Sequence, residues 1–400
     1  MTTTSNDDDK IKKIEHMEKT MRHGLISRRR SSEPGWLYPW QREFLGQIDV
    51  WKKICVKVPT GQGKSWLMIG AAMYLMMSDI ADSIKIKSEE ALFRKVLVIC
   101  HNGGITSQMF NQVIMFSDMC HRKVKITVTK KYSGKIEQHV LYGDESETQY
   151  GIHFDIMTAG YVKKEEEYDV TIVDEVDSIP KDSVRKLLKK EETRVWLNGT
   201  TANISDFKSN ALHLITDGSC VTFPANMQME VAPISSLHEV LETLSDPTHH
   251  VCMIALHGRP SRGDVRDVIR AVDLQCPRRK KYYSLPNGEK RRTEQTEMNE
   301  FIMSLVPDDA ENAPKVCPPP SVIFTSTGRL GRALSVDSLS LVILLTYNPN
   351  GLDLSEIIHT MGRTTRETDS RTGRGILIGE NVDTRLKSLG IKKYFTPFSA

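Results

Sequence analysis

The chain has 400 residues, of which 54 are Lys or Arg and 51 are Asp or Glu, so that its formal net charge is only +3. This length predicts two or three domains, and contents of 39% hydrophobic and 26% charged residues are typical of a folded globular protein. The near balance of charge argues against a polycationic nucleic-acid coat, although local basic tracks are compatible with it.

The apolar segments argue against a membrane or secreted protein. The longest mostly apolar run, residues 66–77, is shorter than the ~20 residues that cross a bilayer, and the polar, acidic N-terminus lacks the apolar part of a signal peptide. Seven scattered cysteines without a CxxC pair argue against a disulfide framework or a zinc site. We therefore expect an intracellular protein, cytoplasmic or nuclear, with no membrane contact.

Residues 1–33 contain few large apolar side chains and mix acidic with basic runs, which predicts a flexible tail that includes a helix around Ile11–Met21. The arginine run 28–30 has two interpretations, a solvated charge cluster or an arm that binds phosphate. We expect this tail to be the place where protein partners bind.

From Trp36 onward, short β-branched runs alternate with stretches of helical length, which predicts an α/β fold with parallel βαβ units. An aperiodic stretch with Gly218, Pro224 and Pro233 separates two such series. We therefore predict domains at 34–215 and 232–400, joined by a linker at 216–231. The predicted strands are 54–58, 96–100, 124–128, 152–157, 170–173 and 195–197 in the first series and 251–256, 282–285, 322–325, 339–346 and 375–378 in the second.

Residues 58–65 read VPTGQGKS, follow the apolar run ICVKV and open an apolar run of helical length, which is the context of a phosphate-binding loop. Its glycines allow successive backbone N–H groups to face phosphates, and the start of a helix adds partial positive charge. Lys64 supplies a full positive charge, and the Ser65 hydroxyl is a ligand for Mg²⁺. Position 58 is Val where the general GxxxxGK(S/T) pattern has Gly, and a surface turn is the alternative interpretation. The other expected nucleotide-binding residues of this loop are Thr60, Gly61, Gln62 and Gly63.

Residues 170–177 read VTIVDEVD, a short buried-type strand followed directly by adjacent acids. Because the carboxyl ends of parallel strands meet at the ligand crevice, we expect these acids beside the phosphate-binding loop. Asp174 would hold Mg²⁺, and Glu175 would orient and deprotonate the attacking water. A solvated acidic loop is the alternative for this tetrapeptide alone. The two segments together predict a site for the β- and γ-phosphates of a nucleotide and for Mg²⁺.

With these two segments in place, the sequence from about Trp36 to Ile378 resembles superfamily 2 helicases, the DEAD/DEAH-like ATPases. PTGQGKS is similar to motif I of that family, and VDEVD is similar to motif II in its DExD form. Upstream, Gln41 in YPWQR is similar to the glutamine that reads adenine, since a side-chain amide can donate to and accept from the adenine edge. A polar residue on an early helix is the alternative for Gln41.

In the second half, residues 359–366 read HTMGRTTR and are similar to motif VI, (H/Q)xxGRxxR. The resemblance implies that His359 and Gly362 belong to the nucleotide site. It also implies that Arg363 and Arg366 stabilise the charge of the transferring phosphate. Two arginines three residues apart lie on one face of a helix, so both can reach the same phosphate. The basic start of a surface helix is the alternative.

Other segments resemble the nucleic-acid contacts of the family less closely. Gln108 aligns with motif Ia, Thr158 begins a weak motif Ib, and Thr327 or Thr325 occupies the threonine position of motif V. The serine of motif III is replaced by Gly199, and motif V lacks its usual Gly-x-Asp. In the family, motifs III and V couple ATP hydrolysis to movement, so these departures bear on that coupling in this chain. Basic residues interleaved with tyrosines at 276–292 either contact nucleic acid or flank a core strand.

The resemblance implies an α/β protein of two tandem RecA-like domains, each a mainly parallel sheet flanked by helices, with ATP bound between them. We predict an ATP hydrolase that unwinds or remodels single-stranded or duplex nucleic acid, with RNA favoured over DNA only by the DExD form. Two alternatives remain: an ATPase that translocates without separating strands, and a catalytically silent nucleic-acid-binding module. The compact chain and its diverged motifs are compatible with a viral or mobile-element enzyme, including a virion-associated one.

Overall fold

In the computed structural model, the chain forms two compact units that divide between residues 220 and 221. The structure describes residues 12, 14–17 and 19, followed by 37–58, 63–86, 91–101, 103–117, 124–132, 134–142, 149–162, 166–199, 207, 212–216, 227–284, 319–326, 339–362 and 373–399.

The first unit is built on a sheet of eight strands in the order β4-β3-β5-β2-β6-β7-β1-β8. Neighbouring strands are parallel except β3 and β4, which form an antiparallel hairpin at one edge. The central strands are continuously apolar because both of their faces are covered, and all four residues of β6 are buried. The strands are β1 (Lys53–Lys57), β2 (Leu92–Cys100), β3 (Val124–Tyr132), β4 (Lys135–Tyr142), β5 (Tyr150–Thr158), β6 (Val170–Val173), β7 (Arg194–Gly199) and β8 (Leu212–Thr216).

Helices cover both faces of this sheet. On one face, the helix that follows β1 packs against the helix that follows β2 and against β2, β5, β6 and β7. On the other face, Val184 and Leu187 from the helix after β6 pack with Leu97 of β2 and Val195 of β7. The helices are α1 (Pro39–Gln47), α2 (Lys64–Lys85), α3 (Gly103–Ser117) and α4 (Lys181–Leu188).

Helix α2 contains the apolar run 66–77, which is too short to cross a bilayer. The whole helix has 22 residues and is long and apolar enough to do so by length and composition alone. However, 56% of its most apolar window is buried inside the protein. Burial, and not length, therefore identifies α2 as the core helix of the first unit.

Part of the segment predicted to be a flexible tail is helical and packed. The described residues between 12 and 19 are helical, and Met17 is fully buried. The ring of His16 lies edge-on to Tyr74 of α2, with 6.0 Å between the ring centroids. The described residues therefore agree with the helix expected around Ile11–Met21 and differ only from the predicted flexibility, because Met17 and His16 pack against the first unit.

The second unit is built on a sheet of seven strands in the order β11-β12-β10-β13-β14-β9-β15, and all of its neighbouring pairs are parallel. Two apolar cores contain the inward residues of this sheet and its helices. The elements are β9 (Met227–Ala232), α5 (Leu237–Glu242), β10 (Val251–His257), α6 (Arg262–Gln275), β11 (Lys280–Ser284), β12 (Ser321–Ser326), β13 (Leu339–Thr346), α7 (Leu354–Met361), β14 (Gly373–Gly379), α8 (Val382–Ser388) and β15 (Thr396–Pro397).

The predicted linker at 216–231 overlaps an observed strand at residues 227–231, because β9 begins at Met227 and pairs with both β14 and β15. Its sequence, MQMEVA, hides the strand because an acid interrupts the apolar pattern. That acid, Glu230, is only 1% exposed and pairs with Arg374 of the neighbouring strand at 2.8 Å. A buried ion pair thus occupies a position where the sequence pattern favours a loop.

Candidate active site

Three neighbouring strands of the first unit, β6, β7 and β1, bring polar groups to their carboxyl ends. The loop after β1 leads into α2, Asp174 and Glu175 follow β6, and Asn198 lies one residue before the end of β7. Ligands of parallel α/β sheets bind outside the carboxyl ends of the strands. This cluster is therefore the candidate active site of the first unit.

Lys64 is the first residue of α2, and its ammonium group donates to the backbone carbonyl of Val58, with 3.0 Å between Nζ and O. The residue is only 6% exposed. A neutral carbonyl is a weaker partner for a buried cation than an anionic oxygen, so a phosphate oxygen would be preferred here. Thr60, Gly61 and Gln62 lie outside the described residues, and their phosphate contacts stay predictions.

Gly63 precedes α2 with a left-handed backbone, at φ 72°. An added Cβ there would lie 3.6 Å from Nε2 of Gln41, so the predicted adenine-reading side chain lies beside the phosphate-binding loop. Gln41 is 2% exposed, and its Oε1 accepts from the backbone N–H of Tyr38 at 3.0 Å. The amide oxygen of Gln41 therefore caps α1, and adenine recognition stays a prediction.

Replacing Gly63 by Ala is expected to weaken ATP binding and to cost about 1–2 kcal/mol of stability, because a left-handed backbone is strained for any L side chain. Gly134 is the matched control: its φ is 79°, and an added Cβ would meet nothing within 4 Å. Gly134→Ala should show a similar loss in thermal melts, with unchanged nucleotide affinity by titration. Equal ATP affinity in the two variants would contradict a role of Gly63 in the site.

Asp174 is held by two donors on the same carboxylate oxygen. The Ser65 hydroxyl donates to Oδ1, and Nδ2 of Asn198 donates to the same oxygen at 3.0 Å. The residue is 3% exposed. Helix α2, which follows the phosphate-binding loop, and strand β7, which carries Asn198, are thus joined through the carboxylate of Asp174.

Glu175 has a left-handed backbone, at φ 51°, which is uncommon for a residue with a side chain. Its N–H donates to Oδ1 of Asn198 at 3.1 Å. Strain of this kind persists where the surroundings fix it, and it occurs often at functional sites. Asn198 therefore fixes both acids at once, through Nδ2 to Asp174 and through Oδ1 to the backbone of Glu175.

Asn198 is the site residue that sequence analysis missed. It is fully buried, and the remaining contact of its amide is Nδ2 to Sδ of Met68, at 3.7 Å. The segment around it is similar to motif III, whose hydroxyl positions correspond to Thr200 and Thr201, and these two residues lie outside the described residues. A buried amide at the end of a strand next to an acid-bearing strand is the signal that could have identified it.

The pKa of Asp174 is raised to about 6, mainly by burial and also by the neighbouring charge of Glu175. The hydrogen bonds from Ser65 and Asn198 and the charge of Lys64 act in the opposite direction. The effects that raise this pKa outweigh those that lower it, so the positive charge around the buried carboxylate is insufficient to stabilise its ionised form. A divalent cation at this place would supply that charge.

The donor set fits Mg²⁺. The Ser65 hydroxyl and the Asp174 carboxylate lie in contact, and both are the hard oxygen ligands that Mg²⁺ prefers. Mg²⁺ usually keeps several waters and takes one or two protein oxygens together with phosphate oxygens, which agrees with two adjacent protein ligands.

The predicted nucleic-acid contacts of the first unit lie at the end of one strand and on the helix that follows its neighbouring strand. Thr158 is the last residue of β5 and is partly exposed, and Gln108 is partly exposed on α3, which follows β2. Strands β2 and β5 are adjacent and parallel. Both residues therefore lie in segments at or after the carboxyl ends of strands, as Asp174 and Glu175 do.

In the second unit, His359 is fully buried in the last turn of α7, and Gly362 ends that helix. Arg363, Arg366 and Thr327 lie outside the described residues, so their predicted roles stay predictions.

Two cations of the basic segment at the start of β11 have partners within the second unit. The guanidinium of Arg279 donates to the carbonyls of His250, at 3.1 Å, and Asp246, at 2.9 Å. Lys281 pairs with Asp273 at 3.2 Å. Arg279 and Lys281 therefore hold the fold, as expected for charges that flank a core strand.

Comparisons with known proteins extend these observations. Residues 14–203 match the protein-family model described as "Type III restriction enzyme, res subunit". A search of curated proteins gave no significant match. Among solved structures, the chain is similar to S. cerevisiae Dbp5 bound to RNA and ADP BeF3, with a TM-score of 0.63, 14% identity and coverage of 95% of this chain and 92% of that chain. It is also similar to an S. cerevisiae Dbp5 variant bound to a Gle1 variant and IP6, with a TM-score of 0.61, 12% identity and coverage of 96% and 95%. At these identities the likeness concerns the fold, and it confirms the predicted class of two tandem RecA-like domains.

Proposed function

We infer that this chain belongs to helicase superfamily 2 and that it hydrolyses ATP to unwind or remodel nucleic acid. The observation that carries this proposal is the cluster of Lys64, Ser65, Asp174 and Asn198 at the carboxyl ends of three neighbouring strands. The family-model match over residues 14–203 and the Dbp5-like fold support it.

The residues of the cluster have distinct roles in this proposal. Lys64 exchanges the carbonyl of Val58 for the β- and γ-phosphate oxygens, and Ser65 and Asp174 hold Mg²⁺. When bound, Mg²⁺ neutralises negative charge on the phosphate oxygens as it develops. Glu175, whose backbone is fixed by Asn198, orients the attacking water and accepts its proton.

Outside the described residues, we propose that Arg363 and Arg366 stabilise the charge of the transferring phosphate. An arginine in this role acts through its fixed, planar set of donors, which matches a phosphate better than a lysine does. These arginines follow His359, which lies in α7, and Gly362, which ends that helix.

We propose RNA as the substrate, because Dbp5, which the fold resembles, is bound to RNA in one solved structure. Contacts to phosphates and sugars make such binding largely independent of sequence. Gln108, Thr158 and Thr327 are the proposed contacts. The N-terminal segment 1–33 remains our proposed place for protein partners, and we propose an intracellular location.

The test is ATP turnover by the purified chain, with and without Mg²⁺, single-stranded RNA and single-stranded DNA, run beside a strand-displacement assay. We expect Mg²⁺-dependent turnover that RNA stimulates, together with displacement of a duplex strand. Stimulated turnover without displacement would favour translocation or remodelling alone. Nucleic-acid binding without any turnover would contradict the proposal and leave a silent binding module.

A further inference from the structure

The outer surface of α6 in the second unit carries three arginines that repeat every four residues, Arg262, Arg266 and Arg270. All three are exposed, whereas Val268 and Val272 of the same helix are buried in the core. A spacing of four residues places successive Cα atoms ~6 Å apart along one side of a helix. Because α6 follows β10, this arginine row begins near the carboxyl end of a strand and leads away from it.

The charges of the arginine row are not neutralised within the described part of the second unit, where none of the three forms an ion pair. The acids of α6 have other partners. Asp264 caps the helix with Ser261, whose N–H donates to Oδ2 at 2.8 Å, and Asp273 pairs with Lys281 at 3.2 Å. The remaining acid, Asp267, forms no ion pair with these arginines either.

Like charges one turn apart destabilise a helix, so an uncompensated row is unfavourable unless an anionic partner offsets the repulsion. Other helices of this chain pair an exposed cation with an acid one turn away. Three such pairs are Lys85–Asp82, Arg185–Asp182 and Lys387–Asp383, each at 3.0 Å.

We propose that the arginine row binds consecutive phosphates of a nucleic-acid strand that continues along α6 beyond the carboxyl end of β10. Guanidinium groups bind phosphates through two parallel hydrogen bonds, and a regular row suits a polymer with a regular repeat of negative charge. The row adds affinity and no base recognition, because contacts to phosphates carry no sequence information. The choice of nucleic acid over an acidic peptide rests on the proposed function, which brings nucleic acid to this protein.

The experiment measures equilibrium binding of fluorescein-labelled oligouridylate, without ATP, over a range of salt concentrations. For single strands, the slope of log K against log salt is roughly −0.7 per neutralised phosphate. The double variant R266A/R270A should therefore lose about 1.4 from the magnitude of this slope and bind at least about tenfold more weakly at low salt. The double variant R266K/R270K, which keeps both charges, should retain most of the slope.

The matched control is Lys387→Ala, which removes an exposed cation of the same unit whose charge already pairs with Asp383 of its own helix at 3.0 Å. Its slope should equal that of the wild type. Thermal melts of all variants test whether the fold is intact, and ATP turnover without nucleic acid should be unchanged.

An unchanged slope in R266A/R270A would overturn the proposal for the arginine row alone, as would an equal loss of slope in Lys387→Ala. Loss of binding to labelled polyglutamate, with oligouridylate binding intact, would assign the row to a protein partner instead and would also overturn it. A wild-type chain that binds no oligouridylate would contradict both the row and the proposed function. Because binding is measured without ATP, the salt dependence of oligouridylate binding tests the arginine row even if the chain does not hydrolyse ATP.

Discussion

The Asp174→Asn protein is expected to lose Mg²⁺-dependent ATP hydrolysis by at least about 100-fold and, in the absence of ligands, to be more stable than the wild type. The first effect follows because a metal ligand supplies several kcal/mol of charge stabilisation in the transition state. The second follows because the amide keeps Oδ1, which accepts from Ser65 and Asn198, and removes a buried charge.

The stability effect has a defined pH dependence. The pKa of Asp174 is raised to about 6 in the folded protein, whereas an exposed Asp titrates near 3.9. The folded state therefore binds this proton more tightly than the unfolded state does. The resulting stabilisation is present below about pH 4 and is lost as the pH rises through about 6. The amide does not titrate, so near neutral pH the variant should gain on the order of 2 kcal/mol over the wild type.

Thermal melts with a chelator and without nucleotide, at mildly acidic and at mildly alkaline pH, measure this difference. The gap between variant and wild type should widen as the pH rises. A variant that melts below the wild type at both pH values would show that the carboxylate is structural. Wild-type turnover by the variant would show that Asp174 does not hold the metal.

Replacing Asn198 by Ala is expected to lower ATP turnover by about 10–100-fold, the usual effect of removing a partner that orients metal-binding groups. It should also cost about 1–3 kcal/mol of stability, because buried polar groups lose their partners. The affected groups are the carboxylate of Asp174 and the N–H of Glu175. The dependence of turnover on Mg²⁺ concentration should shift to higher concentrations.

Tyr168→Phe is the matched control for Asn198→Ala. The hydroxyl of Tyr168 donates to the carboxylate of Asp155 at 3.0 Å, in the same unit but away from the acids after β6. This variant should lose stability to a similar extent while its turnover and its Mg²⁺ dependence stay at wild-type values. If both variants lower turnover equally, the effect of Asn198 is one of stability and not of metal positioning.

Much of the fold could be predicted because buried parallel strands are continuous apolar runs. All eleven predicted strands overlap an observed strand, and 170–173 and 339–346 match their observed bounds. The strands that were missed are at or near the edges of the sheets, where side chains are exposed or paired with charges. In β4, for example, Ile136 is 68% exposed and Glu137 pairs with Lys130 at 2.7 Å. Such alternation of polar and apolar residues resembles a loop when the pairing strand is unknown.

The candidate site could be predicted where a short motif carries the chemistry. Lys64, Ser65 and Asp174 follow from local sequence and from the rule that parallel strands end at the same edge. Asn198 could not be predicted in the same way, since its role depends on β7 lying between β6 and β1. The cap that Gln41 forms with Tyr38 likewise depends on the local geometry of α1 and not on a motif.

The most direct test of the central claim is ATP turnover by the wild type and by Lys64→Ala, each with and without single-stranded RNA. Lys64 is buried, and its ammonium group donates to the carbonyl of Val58, so its removal takes away the positive charge proposed for the phosphates. We predict RNA-stimulated turnover in the wild type, and neither basal nor stimulated turnover in the variant, with RNA binding retained. Full turnover in Lys64→Ala, or wild-type turnover that RNA does not change, would contradict the account.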